Sequence, residues 1–317
     1  MQPFAGAYAQ SATLSAPAVA RGATAGGRAG TAHECALPKP AWLWCDDFDT
    51  DRLAQYFEYS PGEAAFVRAP GAGRGGSYAM AAHYDPTRSD AGSLKVAFGK
   101  VPDRYFRPVD AGTTAYRDVY WRWYILHPTT WLGGGPDKMT RALGIVTAAW
   151  AQSVLGHVWD GANDKLYLDP ASGTDASGAV RTTVYNDFAH LRWLGATASA
   201  TNIYDAAHLG RWVCIEAHLR LNDVGRPNGV FQLWIDGAME ASLTRLNWLG
   251  SYSGYGINAV FFENYWNDRS PVAQTRYWDN IVVSTERIGC DTVAVGRAPP
   301  VPPFKRVADA PHRDASE

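Results

Sequence analysis

Four alternating runs between Gly210 and Ser284 constrain this chain more than any other feature. Arg211 to Leu221 places Val213, Ile215, Ala217, Leu219 and Leu221 at every second position, with Cys214, Glu216, His218 and Arg220 between them. A period of two marks a strand with one face buried, because successive side chains leave a sheet on opposite sides. Asn222 to Asn228 supplies loop residues, Val230 to Ile235 alternates again, and Asp236-Gly237 closes it, so the segment reads as a hairpin followed by a tight turn. Two more strands are expected at Ala259–Asn267 and Arg276–Ser284. On the first, Phe261, Glu263, Tyr265 and Asn267 share one face, while Val260, Phe262 and Trp266 take the other. The first of those faces is polar and carries chemistry.

Upstream, the same pattern predicts strands at Trp42–Phe48, Ala64–Arg68, Tyr78–His83, Ser93–Phe98, Asp118–Leu126, Ala142–Ala149, Ser153–Trp159, Leu166–Asp169 and Thr182–Tyr185. A short helix is expected over Asp51–Phe57, and helical periodicity is otherwise nearly absent. Many short strands separated by Gly- and Pro-rich turns predict an all-β, two-sheet antiparallel sandwich. The 317 residues are enough for one large domain, expected over 34–290. Residues 1–33 are rich in Ala, Gly and Ser, and 291–317 hold a Pro cluster with mixed charges. Neither can bury enough apolar surface to offset its ordering entropy, so both are expected to be disordered.

A net charge of -2 gives no electrostatic case for nucleic acid, and no basic run or long apolar segment points to a membrane. Four cysteines allow three fully paired connectivities. Antiparallel pairing of the first and last strands brings the two chain ends together, and that register favours Cys35–Cys290 with Cys45–Cys214. Disulfides imply export to a secreted, extracellular or periplasmic setting. Ala7-Tyr8-Ala9 has the small residues of a signal-peptide end without the basic and apolar segments before it. Thirteen Trp and 16 Tyr help make the chain 13% aromatic, above ordinary usage, and most of these rings are expected in the core. In an exported β protein, rings not needed for the core stack on sugars.

The hairpin ending in Ile235-Asp236-Gly237, the early Cys45-Asp46-Asp47-Phe48-Asp49 and the late Tyr277-Trp278-Asp279-Asn280 resemble the concanavalin A-like jelly roll. That fold occurs in legume lectins, laminin-G-like modules, glycoside hydrolases and polysaccharide lyases. The resemblance covers about Cys35 to Cys290 and implies a curved sheet whose concave groove holds an acidic polysaccharide or another glycan. Within that group, Phe261-Phe262-Glu263-Asn264-Tyr265-Trp266-Asn267 resembles the Tyr-Phe-Lys-Ala-Gly-x-Tyr-x-Gln strand of jelly-roll alginate lyases. Leu155-Gly156-His157 resembles their Gln-x-His strand, and Arg122 stands for their Arg-rich one. The implied activity is β-elimination of a uronate polymer of alginate or glucuronan type. Tyr265 is then the main acid/base, His157 or His218 its partner, and Arg122, Arg220 and Asn267 neutralise the uronate carboxylate.

The same groove is expected to present Glu216, Gln232, Trp234 and Glu263 to substrate, with Lys138 and Arg141 after the Gly133-Gly134-Gly135 loop clamping acidic sugar at its rim. Two other readings stay open. Glu216 and Glu263 could serve a retaining glycoside hydrolase if their carboxyl groups lie about 5–5.5 Å apart, or the aromatics could grip glycan without catalysis. Asp47, Asp49 and Asp279 cluster if the first and last strands pair, and their hard oxygens suit a structural Ca2+. No other cofactor is expected, and the chain is expected to act as a monomer.

Overall fold

The alternation of Arg211–Leu221 becomes a strand with one dry face. In a computed structural model of the chain, which describes residues 34–291 apart from 64, 134 and 162, Val213, Ile215, Ala217 and Leu219 are buried between two sheets. The first sheet runs β14 (Ala238–Leu246), β13 (Gly229–Ile235), β12 (Trp212–Arg220), β6 (Asp118–Leu126), β16 (Gln274–Ser284), β4 (Ala79–Tyr84), β3 (Phe66–Ala69), with β1 (Trp42–Asp46) also on β16. The second runs β10 (Arg192–Trp193), β9 (Lys165–Ser172), β8 (Gln152–Asp160), β7 (Asp137–Ile145), β15 (Ala259–Trp266), β5 (Asp90–Ala97), β2 (Glu58–Ser60), with β11 (Thr197–Asn202) also on β9. All these pairings are antiparallel. The chain is a two-sheet jelly-roll sandwich, as its alternation predicts.

Indole rings build much of the layer between the sheets. Trp121 and Trp123 of β6 and Trp278 of β16 are fully buried, and Trp278 meets Phe262 of β15 edge to face at 6.2 Å. Their polar N–H groups need partners there. Trp121 donates to Thr140 Oγ1 at 2.9 Å and Trp278 to Asn264 Oδ1 at 2.8 Å, so each bond also ties one sheet to the other. The Asp236-Gly237 turn has positive φ at both residues, 48° and 84°. That matches the two-residue turn whose twist suits a hairpin, and it pairs β13 with β14, a strand the sequence pattern did not reveal.

Other elements depart from the expected pattern. Thr182–Tyr185 is irregular, and Asp51–Phe57 contributes only a 3-10 turn at Leu53–Gln55. β7 starts at Asp137, not Ala142; a bulge between Lys138 and Thr140 shifts its alternation and hides the strand in the sequence. The expectations for 1–33 and 292–317 fall outside the described residues.

β1 and β16 pair antiparallel, with Cys45 opposite Val282, yet the disulfides are Cys35–Cys45 and Cys214–Cys290. The expected pairing is corrected because Cys35 precedes β1 in a separate turn, Glu34–Ala36, that folds back on β1. Cys290 continues past β16 to reach β12. The bridges close spans of 10 and 76 residues. On chain-entropy grounds, replacing Cys214 and Cys290 by Ser should cost about 4 kcal/mol and replacing Cys35 and Cys45 about 3. Urea denaturation of the two double variants should give that order.

Candidate active site

Residues paired across antiparallel strands share a face, so register alone assembles the outer surface of the second sheet. One row reads Glu58, Lys95, Phe261, Arg141, His157, Asp169 across β2, β5, β15, β7, β8 and β9. A second reads Tyr265, Lys138, Trp159, Tyr167. At one end the face is filled by Phe57, Phe106, Leu191 and the partly buried Trp150 and Tyr185, which pack on Phe261, Leu143 and Leu155. The charged and polar groups stand beside this apolar fill.

Arg141 is buried and held on all sides. Its Nε donates to Glu263 Oε2 at 2.6 Å, one terminal nitrogen donates to Asn186 Oδ1 at 2.8 Å, and the other to Glu263 Oε1 and the Tyr185 hydroxyl. The planar fork meets a carboxylate with two parallel bonds, the geometry that suits Arg and not Lys. Burial pushes the Tyr185 hydroxyl well above its ordinary value, against the pull of Arg141. Next to Arg141, His157 is 9% exposed, and its Nε2 has no hydrogen-bond partner among the described residues. Burial, then the charges of Arg141 and Lys138, hold its imidazole well below the ordinary His value, so the ring is neutral.

Lys138 lies over the Tyr265 ring, 4.3 Å from its centroid. Burial and Arg141 lower its ammonium below the usual value, while Glu263 and Asp90 oppose that shift. Tyr265 is 38% exposed. Beside His157, burial raises the Asp169 carboxyl to about 6. His157 lies two strands across from Tyr265 and one row along, with Lys138 in the row of Tyr265 on the strand between them. A neutral base, a hydroxyl and an ammonium therefore line one patch.

The expected site residues divide between two surfaces. His157, Tyr265, Glu263, Lys138 and Arg141 come together here, and Lys138 and Arg141 are strand residues, not a loop rim. Asn267 falls in the turn after β15, where its N–H donates to Pro136 O at 2.9 Å; the amide that reaches the cluster is Asn186. Arg122, Glu216, His218, Arg220, Gln232 and Trp234 lie on the first sheet, and those that alternate outward from it face away from this patch. The single groove expected to hold both sets is corrected by topology: the outer faces of a sandwich point in opposite directions.

That second surface is spoken for. Arg122 is 1% exposed, bonded to Glu34, Gly289 O and Asn280 O. Glu216 accepts the N–H groups of Ile288 and Gly289 at 2.7 and 3.0 Å. His218 stacks on Tyr120 at 3.9 Å, with its nitrogens against Gln232 Oε1 and Asp118 Oδ1 at 2.9 and 2.6 Å. Trp234 is buried under Arg287, and Arg220 donates to Asn228 O. Glu216 and Glu263 cannot act as a hydrolase pair, since each is bonded on its own side of the sandwich.

The expected metal carboxylates do not all converge. Asp279 accepts the N–H groups of Arg74 and Asn280, both at 2.7 Å, and Asp49 accepts that of Tyr78 at 3.0 Å; burial, with a smaller push from Asp49, raises the Asp279 carboxyl. Asp47 instead accepts the Cys35 N–H at 3.1 Å. Among the described residues, no group of three or more His, Cys, Asp or Glu is arranged to hold a metal ion.

One side chain that supports this patch had no signal in the sequence. Arg276 of β16 points inward from the first sheet and reaches the backbone of the second. It donates to Glu263 O at 2.9 Å, Lys138 O at 3.3 Å and Asn264 Oδ1 at 2.9 Å, and it pairs with Asp137. The register of β15 against β7 slips between Phe262 and Tyr265, and these carbonyls lie at that slip. The guanidinium thus satisfies groups that a bulge withdraws from the ladder.

No protein-family model matches the chain, and no curated protein matches it significantly in sequence. Solved structures do resemble it. The alginate lyase vAL-1 from a Chlorella virus superposes with a TM-score of 0.53 at 13% identity, over 77% of this chain and 99% of that one. An alginate lyase from Aplysia kurodai gives 0.53 at 11% identity, over 77% and 99%. An endo-beta-1,4-glucuronan lyase from Trichoderma reesei gives 0.51 at 12%, over 77% and 96%. The chain shares the jelly-roll fold of these lyases.

Replacing Arg276 by Met should cost about 3–5 kcal/mol, because Asp137 is then left as an uncompensated buried charge. Urea denaturation measures this; a loss below about 1 kcal/mol would mean that the buried pair does not hold the two sheets in place.

Proposed function

We propose that this chain is a polysaccharide lyase that cleaves a uronate-containing glycan by β-elimination on the outer face of the second sheet. The observation that carries the reading is His157: a neutral imidazole just beneath the outer face, its buried Nε2 without a hydrogen-bond partner among the described residues, flanked by Lys138 and Arg141 and on the same side of the sheet as Tyr265. Elimination needs that set. His157 removes the proton α to the uronate carboxylate, and Lys138 stabilises the charge that develops on the carboxylate oxygens. The electron pair forms the new carbon–carbon double bond as the β carbon–oxygen bond breaks, and the Tyr265 hydroxyl protonates the departing oxygen. Trp159 and Tyr167, with ring centroids 5.6 Å apart, supply flat apolar surface for neighbouring sugars.

The likeness to alginate and glucuronan lyases supports the fold that this reading requires. Two disulfides suit work outside a reducing compartment, and no helix among the described residues is long and apolar enough to cross a membrane. We also propose Ca2+ at Asp49 and Asp279: burial, and to a lesser extent Asp49, raise the Asp279 carboxyl, and a hard cation there would offset both. Melting in excess Ca2+ should exceed melting in chelator, and equal values would contradict this.

The reaction is tested with a panel of uronate polymers, following absorbance of an unsaturated product and reducing ends in parallel. Both should rise with wild-type protein. His157→Gln and Tyr265→Phe should each lower kcat/KM by about 100-fold or more, whereas His218→Gln should not. Reducing ends without absorbance, or retention on glycan without either, would replace the lyase reading with a hydrolase or a binding module. Burial, then the charges of Arg141 and Lys138, hold the imidazole well below its ordinary value of about 6.5. The acid limb of the pH–rate profile should therefore lie below 6.5, and a limb centred at or above that value would exclude His157 as the base.

A further inference from the structure

We infer that Glu263, by occupying the fork of Arg141, makes this site selective for a polysaccharide whose uronates are isolated among neutral sugars, over one charged at every sugar. The inference rests on the elimination reading and names its substrate class. A guanidinium on the reactive face would be the natural seat for a substrate carboxylate. Here that seat is filled from within the chain: Glu263 binds Arg141 through both oxygens, with side chains 2% and 9% exposed, and Asn186 and Tyr185 take further donors. Lys95, in the same row, is paired with Glu58. Among the described residues beside His157, the cation outside an ion pair is Lys138, and it already stands in the fields of Glu263 and Asp90. Asp169 adds a carboxyl on the other side of His157.

A chain with a negative charge on every sugar requires a surplus of positive charge along its track, and this face sets Glu263, Asp90 and Asp169 against Lys138, with Lys165 farther along β9. It has rings instead. Trp159 and Tyr167 lie beside the reacting row, and Trp193 of β10 pairs with Ala171 on the same outward side, stacked on Phe188 with ring planes 16° apart. These two outlying rings are 45% and 38% exposed. Aromatic faces receive the C–H surfaces of uncharged pyranoses. One carboxylate therefore fits at Lys138, with neutral sugars on either side.

Initial rates on a glucuronate homopolymer and on a heteropolymer carrying one glucuronate among several neutral sugars test this. Per uronate, wild-type kcat/KM should favour the heteropolymer by about tenfold or more, and Glu263→Gln should shrink that ratio by about tenfold. A wild-type ratio at or below one overturns the inference while leaving elimination intact. So does an unchanged ratio in a Glu263→Gln protein that still melts cooperatively; if that variant does not fold, the wild-type ratio decides. No unsaturated product from either polymer overturns the elimination reading instead. Retardation of wild-type protein in gels cast with each polymer then decides selectivity, with stronger retardation by the homopolymer counting against it.

Discussion

The architecture hinges on a positive charge placed where a sandwich ordinarily keeps only apolar side chains. Arg276 leaves the first sheet, crosses the interior and bonds to the backbone carbonyls of Glu263 and Lys138 in the second. Such a charge is costly to desolvate, and it is tolerated because Asp137 neutralises it and Asn264 and two carbonyls use its remaining donors. Those carbonyls belong to two of the residues that furnish the outer face directly above. The bulge that aims Lys138 and Tyr265 outward would leave backbone groups unsatisfied; Arg276 supplies their partners. Packing, register and chemistry meet in this one side chain.

The two outer faces of the sandwich use similar residues differently. Both carry Arg, Glu, His and Tyr at alternating positions. On the first sheet these groups are consumed by the chain itself: the Glu34–Ala36 turn and the segment after β16 lie across it, pinned by the two disulfides, and Arg122 and Glu216 serve as their anchors. On the second, aromatic loops cover only one end, and among the described residues His157, Lys138 and Tyr265 stand outside any ion pair. The same residue types anchor chain segments on one side and stand at an uncovered surface on the other.

This asymmetry also explains what the sequence could reveal. Alternation within a strand is local, so the inward sets of β6, β12, β13 and β15 were legible, and with them the all-β sandwich and the outward placement of Tyr265 and Glu263. Which sheet a strand joins is decided by long-range pairing that leaves no local mark. Arg122 and His218 were therefore grouped with His157 although topology sends them to opposite sides. Bulges erased the pattern of β7 and concealed Lys138 and Arg141 as strand residues. Asn186 and Tyr185 sit in irregular chain with no periodicity to read. The cysteine pairing failed for a related reason: the register of β1 on β16 was correct, but both partner cysteines lie in segments outside that ladder.

The most direct measurement is a crystal structure of the His157→Gln protein soaked with a short uronate-containing oligosaccharide. Sugar density is expected across β15, β7, β8 and β9, with a carboxylate within hydrogen-bonding reach of Lys138 and a ring on Trp159 or Tyr167. Density over β6 and β12 instead, with the second sheet bare, would contradict it.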